Sequence, residues 1–269
     1  MGSNPNGATN SVDIASPVQP LRDFLNSVGE AVANLNTAIV GLDAVEQGHR
    51  KPATLNISWN PQDRIAAARK SRRFVIEAVL VHVAEALSEF VSVMARLPSF
   101  DAVSLAWDSK ATRADKLSGL AIHALGTRDY LIVGAALLIH WRNRVVHPNS
   151  RASLTSQQEK ELRASSDEIE DQFAGLSVDR LLKDFESGRP TLKDISSLIA
   201  MSIRLVRKIE QSLSDLSKED IDALLHYYGL AARIEEIEAQ TTPSKRRASV
   251  IRMLASHAPG LVEAYKSKF

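Results

Sequence analysis

The sequence predicts an all-α protein, an up-and-down helical bundle with additional helices at its N- and C-terminal ends. Three observations carry this. Apolar residues recur at spacings of three and four, as in Leu21, Leu25, Val28, Val32, Leu35, Ile39 and Leu42, which is the period of a helix with one buried face. Breaks in that pattern fall at residues that start or stop helices, such as Asn60-Pro61, Gly126 and Pro148. No segment keeps the alternation of a sheet. Thr54–Trp59 is briefly strand-like, and one short extended run does not make a sheet.

Taken in order, residues 1–19 are rich in Asn, Ser, Pro and Gly and read as a disordered lead-in. Pro20 suits a first helical position, so the first helix runs from there to Glu46. Its narrow apolar seam packs on the same chain's bundle or pairs with a second chain. His49–Asn60 is a connector. The second helix spans Pro61–Leu97, opens basic with Arg64, Arg69, Lys70, Arg72 and Arg73, and turns apolar nearly all round from Phe74 to Met94. A helix of that kind sits centrally in a bundle.

Pro98–Ala111 is a loop holding Trp107, and a short helix follows over Thr112–Leu125, stopped by Gly126. The next helix runs from Arg128 to about His147, where Pro148 pushes the preceding residue out of the helical region. Ser156-Gln157-Gln158-Glu159 reads as a capping box opening an acidic helix to about Phe173. Ser177–Ser187 is short. Thr191 then caps an amphipathic helix whose face is Ile195, Leu198, Ser202, Leu205, Ile209, Leu213 and Leu216. Ser217–Leu230 adds another helix, and Thr241-Thr242-Pro243 links to a small helical segment over 241–269. The domain therefore reads as 20–240, with a core over about 61–230.

Composition narrows the function. With 269 residues and 44% hydrophobic content the chain can bury one sizeable core. Thirty-three basic residues face 32 acidic ones, so nucleic acid would be held only by a local basic patch. No cysteine is present. That excludes disulfides, thiolate zinc sites and cysteine catalysis, and it suits a reducing cytoplasm. No apolar run approaches the roughly 20 residues of a membrane helix, so no membrane partner is expected.

One segment stands out for chemistry: Arg142-Asn143-Arg144-Val145-Val146-His147. With 21 arginines and seven histidines, roughly 0.5 Arg-x4-His matches arise by chance. The second match, Arg252 to His257, has nothing site-like around it. Requiring Asn after the Arg lowers the chance expectation to about 0.02, and only Arg142-Asn143 meets it. The segment also closes a strongly apolar helix stopped by Pro148.

This motif resembles that of the HEPN superfamily (higher eukaryotes and prokaryotes nucleotide-binding domains), whose ribonucleases carry Arg-x4-6-His, often with a polar residue after the Arg. The resemblance is specific at these six residues and architectural over about Pro61 to Leu230. It implies a four- or five-helix bundle, commonly a homodimer, acting on RNA without a metal or other cofactor, often in toxin–antitoxin or antiphage systems with a matching antitoxin or defence partner. By resemblance, His147 is the general base or acid, Arg142 stabilises the transition state and Asn143 positions the reacting groups. The chemistry wants these types: imidazole moves protons near neutral pH, guanidinium stays charged and forks onto phosphate oxygens, and an amide orients both. Arg144, His140, Arg69 and Arg73 are the expected RNA contacts.

Geometry adds a condition. Five residues at about 100° each put Arg142 and His147 about 140° apart on a regular helix. The site needs the helix to end before His147, or a second chain to complete it. His140, Asn143 and His147 share one stripe by spacing. His82, Glu85 and Glu89 sit at helical spacing too, a combination too common to read as a metal site. Two other functions fit the same sequence: a non-catalytic binding or assembly module, and a nucleotide-binding accessory domain partnering a nucleotidyltransferase.

Overall fold

Helices α1 (Gln19–Glu46) and α2 (Arg64–Met94) form the longest pair of the fold in the computed structural model, which describes residues 18–212 and 216–269. They run antiparallel. Phe24 meets Phe90 at one end with centroids 6.1 Å apart, and Arg72 meets Asp43 and Glu46 at the other, both at 3.4 Å. The α1 seam thus packs within its own chain: Leu21, Val28 and Leu35 are buried, with Phe24 and Ala31 beside them. Past Leu35 burial falls away, and Val40 on α1 and Ile65 and Phe74 on α2 are exposed. Phe74, expected to open the apolar core, lies on the uncovered side of α2, although its neighbour Arg73 reaches the Gly188 carbonyl at 3.2 Å. Its apolar successors from Ile76 onward are the ones buried.

The α2 start also differs from expectation. Asp63, not Asn60, is the cap, its carboxylate accepting from the Ala66 N–H at 3.0 Å. The connector holds no strand. Lys51 Nζ instead donates to the Leu55 and Ile57 carbonyls at 3.0 and 2.9 Å, closing a turn.

A 3₁₀ turn (Pro98–Phe100) and α3 (Asp101–Ser104) occupy the expected loop, followed by α4 (Arg113–Leu125). Thr112 and Asp115 form a reciprocal capping box, and Gly126 closes α4 at φ 66°, the left-handed conformation that glycine adopts without steric cost. Helix α5 (Tyr130–Val146) starts where Asp129 accepts from the Leu131 N–H at 2.9 Å. It is buried along nearly its whole first three turns and packs on α2, on α4 and on α9 (Leu192–Ser212). Gly134 lets α9 come close, because a β-carbon there would collide with Met201.

The acidic helix expected at 156–173 is two helices, α6 (Ser156–Ala164) and α7 (Ser166–Gln172), broken at Ser165. Its capping box is Thr155 with Gln158, one residue earlier than expected. Helix α8 (Val178–Ser187) and α9 follow, α9 with a Thr191–Asp194 box. Along α9, Ile195, Leu198, Ser202, Leu205 and Ile209 are buried as the spacing predicts; Leu213 lies outside the described residues.

Helices α10 (Lys218–Tyr227), α11 (Ala231–Gln240), α12 (Pro243–His257) and α13 (Val262–Lys268), with a 3₁₀ turn at Pro259–Leu261, complete the chain. This C-terminal part joins the main core through Val250, Leu254 and Leu261, and the Gly260 N–H donates to Gln19 Oε1 at 3.1 Å. Gln19, expected in the lead-in, is therefore buried at the start of α1, and the Val18 N–H donates to Glu210. The rest of that lead-in, 1–17, lies outside the described residues. Among the described residues no strand occurs, and no helix is long and apolar enough to cross a membrane.

Candidate active site

The motif occupies the last turn of α5 and the residue after it. Pro148 forces His147 to φ −121° and ψ 95°, extended rather than helical. The His147 N–H still donates to the Asn143 carbonyl at 2.9 Å, and its own carbonyl accepts from the Ser150 N–H at 2.8 Å. The backbone is pinned, while the imidazole is exposed and makes no hydrogen bond among the described residues. The helix does end before His147, so the 140° argument for a regular helix no longer fixes where the imidazole points.

Arg142 turns inward. Its side chain is 14% exposed, and Nη2 lies 2.5 Å from Glu85 Oε1 on α2. Nη1 donates to Asn143 Oδ1 at 3.2 Å, while Nε is buried without an acceptor. Arg113, from the first turn of α4, places its Nη1 2.6 Å from the same Glu85 oxygen. Burial alone would raise the Glu85 pKa, but the two guanidiniums outweigh it and hold the carboxyl below its ordinary range. The cluster carries two positive charges and one negative, so a residual positive charge remains beside Asn143.

Arg144 faces the opposite side. Nε donates to the Ala152 carbonyl at 2.7 Å and Nη1 to the Phe185 carbonyl at 2.9 Å, and the guanidinium lies 3.8 Å from the centroid of the Phe185 ring. Trp141 meets the same ring edge-to-face at 5.4 Å. Burial lowers the Arg144 pKa, with Glu186 opposing. The guanidinium expected to touch RNA is thus committed to pinning α8 onto α5.

His140 is partly buried, its Nδ1 has no partner, and burial lowers its pKa. Asp115 pulls that pKa up and Arg144 pushes it further down. The net direction favours the uncharged imidazole, which would meet a phosphate without a positive charge.

Arg73 and Arg144 line one small cavity of about 180 Å³ with Glu77, Trp141 and Gly188. Arg73 also bonds Glu77 at 2.7 Å and the Gly188 carbonyl at 3.2 Å. Arg69 stands apart on the outer hairpin, 3.7 Å from Glu46 and largely exposed.

On the other side of Arg142, Glu85 and Arg113 open into a groove of about 320 Å³ whose walls include Ser88, Ser92, Trp107 and Lys116. Lys116 Nζ sits 5.3 Å from the Trp107 ring centroid. Sequence reasoning missed Arg113 and gave Glu85 only a passing place beside His82 and Glu89. The signal was partial: a carboxylate inside the apolar stretch of α2 needs a polar partner, and the sequence does not say that Glu85 finds guanidiniums while Glu89 finds a tyrosine. His82 instead bonds Ser27 at 3.0 Å, and Tyr227 donates to Glu89. Among the described residues no group of three His, Asp or Glu side chains is arranged to hold a metal.

Within one chain the structure brings Arg142 and Asn143 together, joins them to Glu85 and Arg113, and leaves His147 at the helix end with no hydrogen bond to Arg142. No family model matches the chain, and neither a curated protein nor a solved structure matches it.

Proposed function

We propose that the protein is an endoribonuclease of the HEPN type, cleaving RNA by attack of a ribose 2′-hydroxyl on the adjacent phosphate. The 2′-oxygen bonds to phosphorus, the 5′-oxygen leaves, and a 2′,3′-cyclic phosphate and a 5′-hydroxyl remain. His147 takes the 2′-proton or supplies one to the leaving oxygen. Arg142 holds the charge that builds on the five-coordinate phosphate, and Asn143 keeps that guanidinium in place. No step in this scheme calls for a metal.

The supporting observation is the proline-stopped end of α5. An exposed imidazole with no hydrogen bond among the described residues follows directly on a helix turn that carries a paired, mostly buried Arg-Asn couple. Because Arg142 faces α2 and α4, the reading includes a second copy of the chain, so that two helix ends share one phosphate site. The exposed Val146 beside His147 gives such a contact apolar surface. A cytoplasmic toxin or antiphage role, restrained by an antitoxin or defence partner, belongs to the same proposal.

The test is incubation of purified protein and of His147→Ala with structured RNA in chelator, reading products by gel and by their 2′,3′-cyclic ends. Cutting by wild type alone supports the reading. RNA left intact by both, or cut equally by both, ends it.

One observation favours a second reading, a non-catalytic binding or assembly module. Arg142 is already paired with Glu85 in a single chain, as a structural ion pair would be. Under that reading Arg142→Lys and Glu85→Gln change stability or assembly and leave RNA untouched.

A further inference from the structure

A second cavity, away from α5, has walls of a different chemistry. It lies where the first turns of α1, the end of α2 and the end of α10 meet, and encloses about 220 Å³. Phe24 and Phe90 form a buried floor, tilted at 53° to each other. Tyr227 and Tyr228 form a wall, their rings perpendicular with centroids 5.0 Å apart. The remaining polar lining includes two carboxylates, Asp23 and Glu89.

Each carboxylate is oriented by a tyrosine. Tyr228 Oη donates to Asp23 Oδ2 at 2.7 Å, and Tyr227 Oη donates to Glu89 Oε1. Gln19 Nε2 donates to Asp23 Oδ1 at 2.6 Å. These bonds fix the acids but do not neutralise them. Among the described residues neither Asp23 nor Glu89 forms an ion pair with a lysine or arginine, whereas Glu85, one turn before Glu89, has two guanidinium partners. Arg96 lies over the Tyr227 ring at 5.3 Å rather than on a carboxylate. The negative charge is felt by the tyrosines: the hydrogen bond to Glu89, then burial, pushes the Tyr227 pKa up to about 12, and burial with Asp23 raises that of Tyr228 further.

Two hydrogen-bonded carboxylates without an ion-pair partner among the described residues, beside four aromatic rings, attract a positive charge with an apolar body. Ring faces stabilise a cation by their quadrupole, and the acids add charge-assisted hydrogen bonds. A phosphate or a carboxylate ligand would be repelled. We propose that this cavity binds a small primary alkylammonium ion, its alkyl chain against Phe24 and Phe90 and its ammonium between Asp23 and Glu89. The proposal does not rest on the ribonuclease reading, although Glu89 also lines the groove beside Glu85 and Arg113.

The test is isothermal titration of the full chain with n-butylammonium and with putrescine, against 1-butanol as the neutral counterpart. Saturable binding of the two amines and none of the alcohol is expected. The double variant Asp23→Asn/Glu89→Gln keeps acceptors for both tyrosines and removes both charges, and it should weaken the amines by at least about tenfold. Near-ultraviolet circular dichroism would show that its aromatic packing is intact. If it is not, Arg96→Ala, which leaves the acids in place, takes over as the variant, and unchanged or tighter amine binding is expected there. Absence of saturable binding by wild type, equal uptake of the alcohol, or undiminished binding by an intact double variant overturns the proposal.

Discussion

Arg142 Nη2 and Glu85 Oε1 are 2.5 Å apart, and this contact ties the motif at the end of α5 to the middle of α2. The same oxygen also receives Arg113. A phosphate approaching Arg142 must therefore compete with a carboxylate already in place. Glu85→Gln removes the competing charge and keeps the shape. Under the ribonuclease reading it tightens RNA binding by about fivefold, the scale of a partly exposed ion pair, and steepens the salt dependence. Filter binding across a salt series measures both. The variant should also lose the share of the acid sensitivity that Glu85 contributes. The Glu85 pKa is held low in the folded chain, so its stabilising effect is complete above the ordinary carboxylate range and fades as pH falls through the folded value.

His147→Ala separates chemistry from stability. The imidazole is exposed and makes no hydrogen bond among the described residues, so the substitution should move unfolding free energy by no more than about 0.5 kcal/mol. Loss of a general acid or base lowers cleavage by roughly 10²–10⁴-fold. Thermal melts alongside an RNA cleavage assay read both. A drop in melting temperature matching the drop in activity would mean a structural role.

Local signals were legible in the sequence, and pairings between distant segments were not. Gly126 and Pro148 each act within one turn of backbone, so residue type alone placed the C-terminal ends of α4 and α5. The same logic could not choose between Thr155…Gln158 and Ser156…Glu159, since both satisfy the capping-box pattern and only three-dimensional context selects the first. The motif was legible as six letters, but its environment was not. Glu85 and Arg113 reach Arg142 from two other helices, and periodicity does not say which polar residues of neighbouring helices will meet. Phe74 shows the converse error: an apolar residue in the apolar stretch is exposed because its side of α2 is left uncovered, while the adjacent Arg73 meets the Gly188 carbonyl.

Gly134→Ala tests the α5–α9 contact that supports the motif helix. An added β-carbon would run into the Met201 thioether, with Met201 Cβ and Cγ at 3.4 and 3.5 Å. Overpacking of this kind costs about 1–3 kcal/mol, against a helix-propensity gain of about 1 kcal/mol for Ala over Gly. A net loss of about 1 kcal/mol is expected. In a Met201→Ala background, where room has been made, the same substitution should become stabilising. Urea denaturation of the four proteins in this cycle gives the coupling directly.

Asp220 should govern the acid stability of the C-terminal half. It is fully buried and accepts four hydrogen bonds: from the Ser99 N–H at 3.1 Å, Ser99 Oγ at 2.6 Å, the Ser217 N–H at 3.1 Å and Ser217 Oγ at 2.8 Å. One carboxylate thus caps α10 and fastens it to the 3₁₀ turn that follows α2. Burial works to raise its pKa, but the hydrogen bonds from Ser99 and Ser217 prevail and hold it below the ordinary value. The resulting stability is present above the ordinary carboxylate pKa and is lost as pH falls through the folded one. Asp220→Ala strips both segments of their acceptor and should cost about 3 kcal/mol near neutrality. Asp220→Asn keeps one oxygen, should cost less, and should flatten the decline of melting temperature below pH ~4, where a carboxylate takes up its proton. Melting curves of the three proteins between neutral and acidic pH check this, and a decline as steep in Asp220→Asn as in wild type would assign the acid sensitivity to other carboxylates.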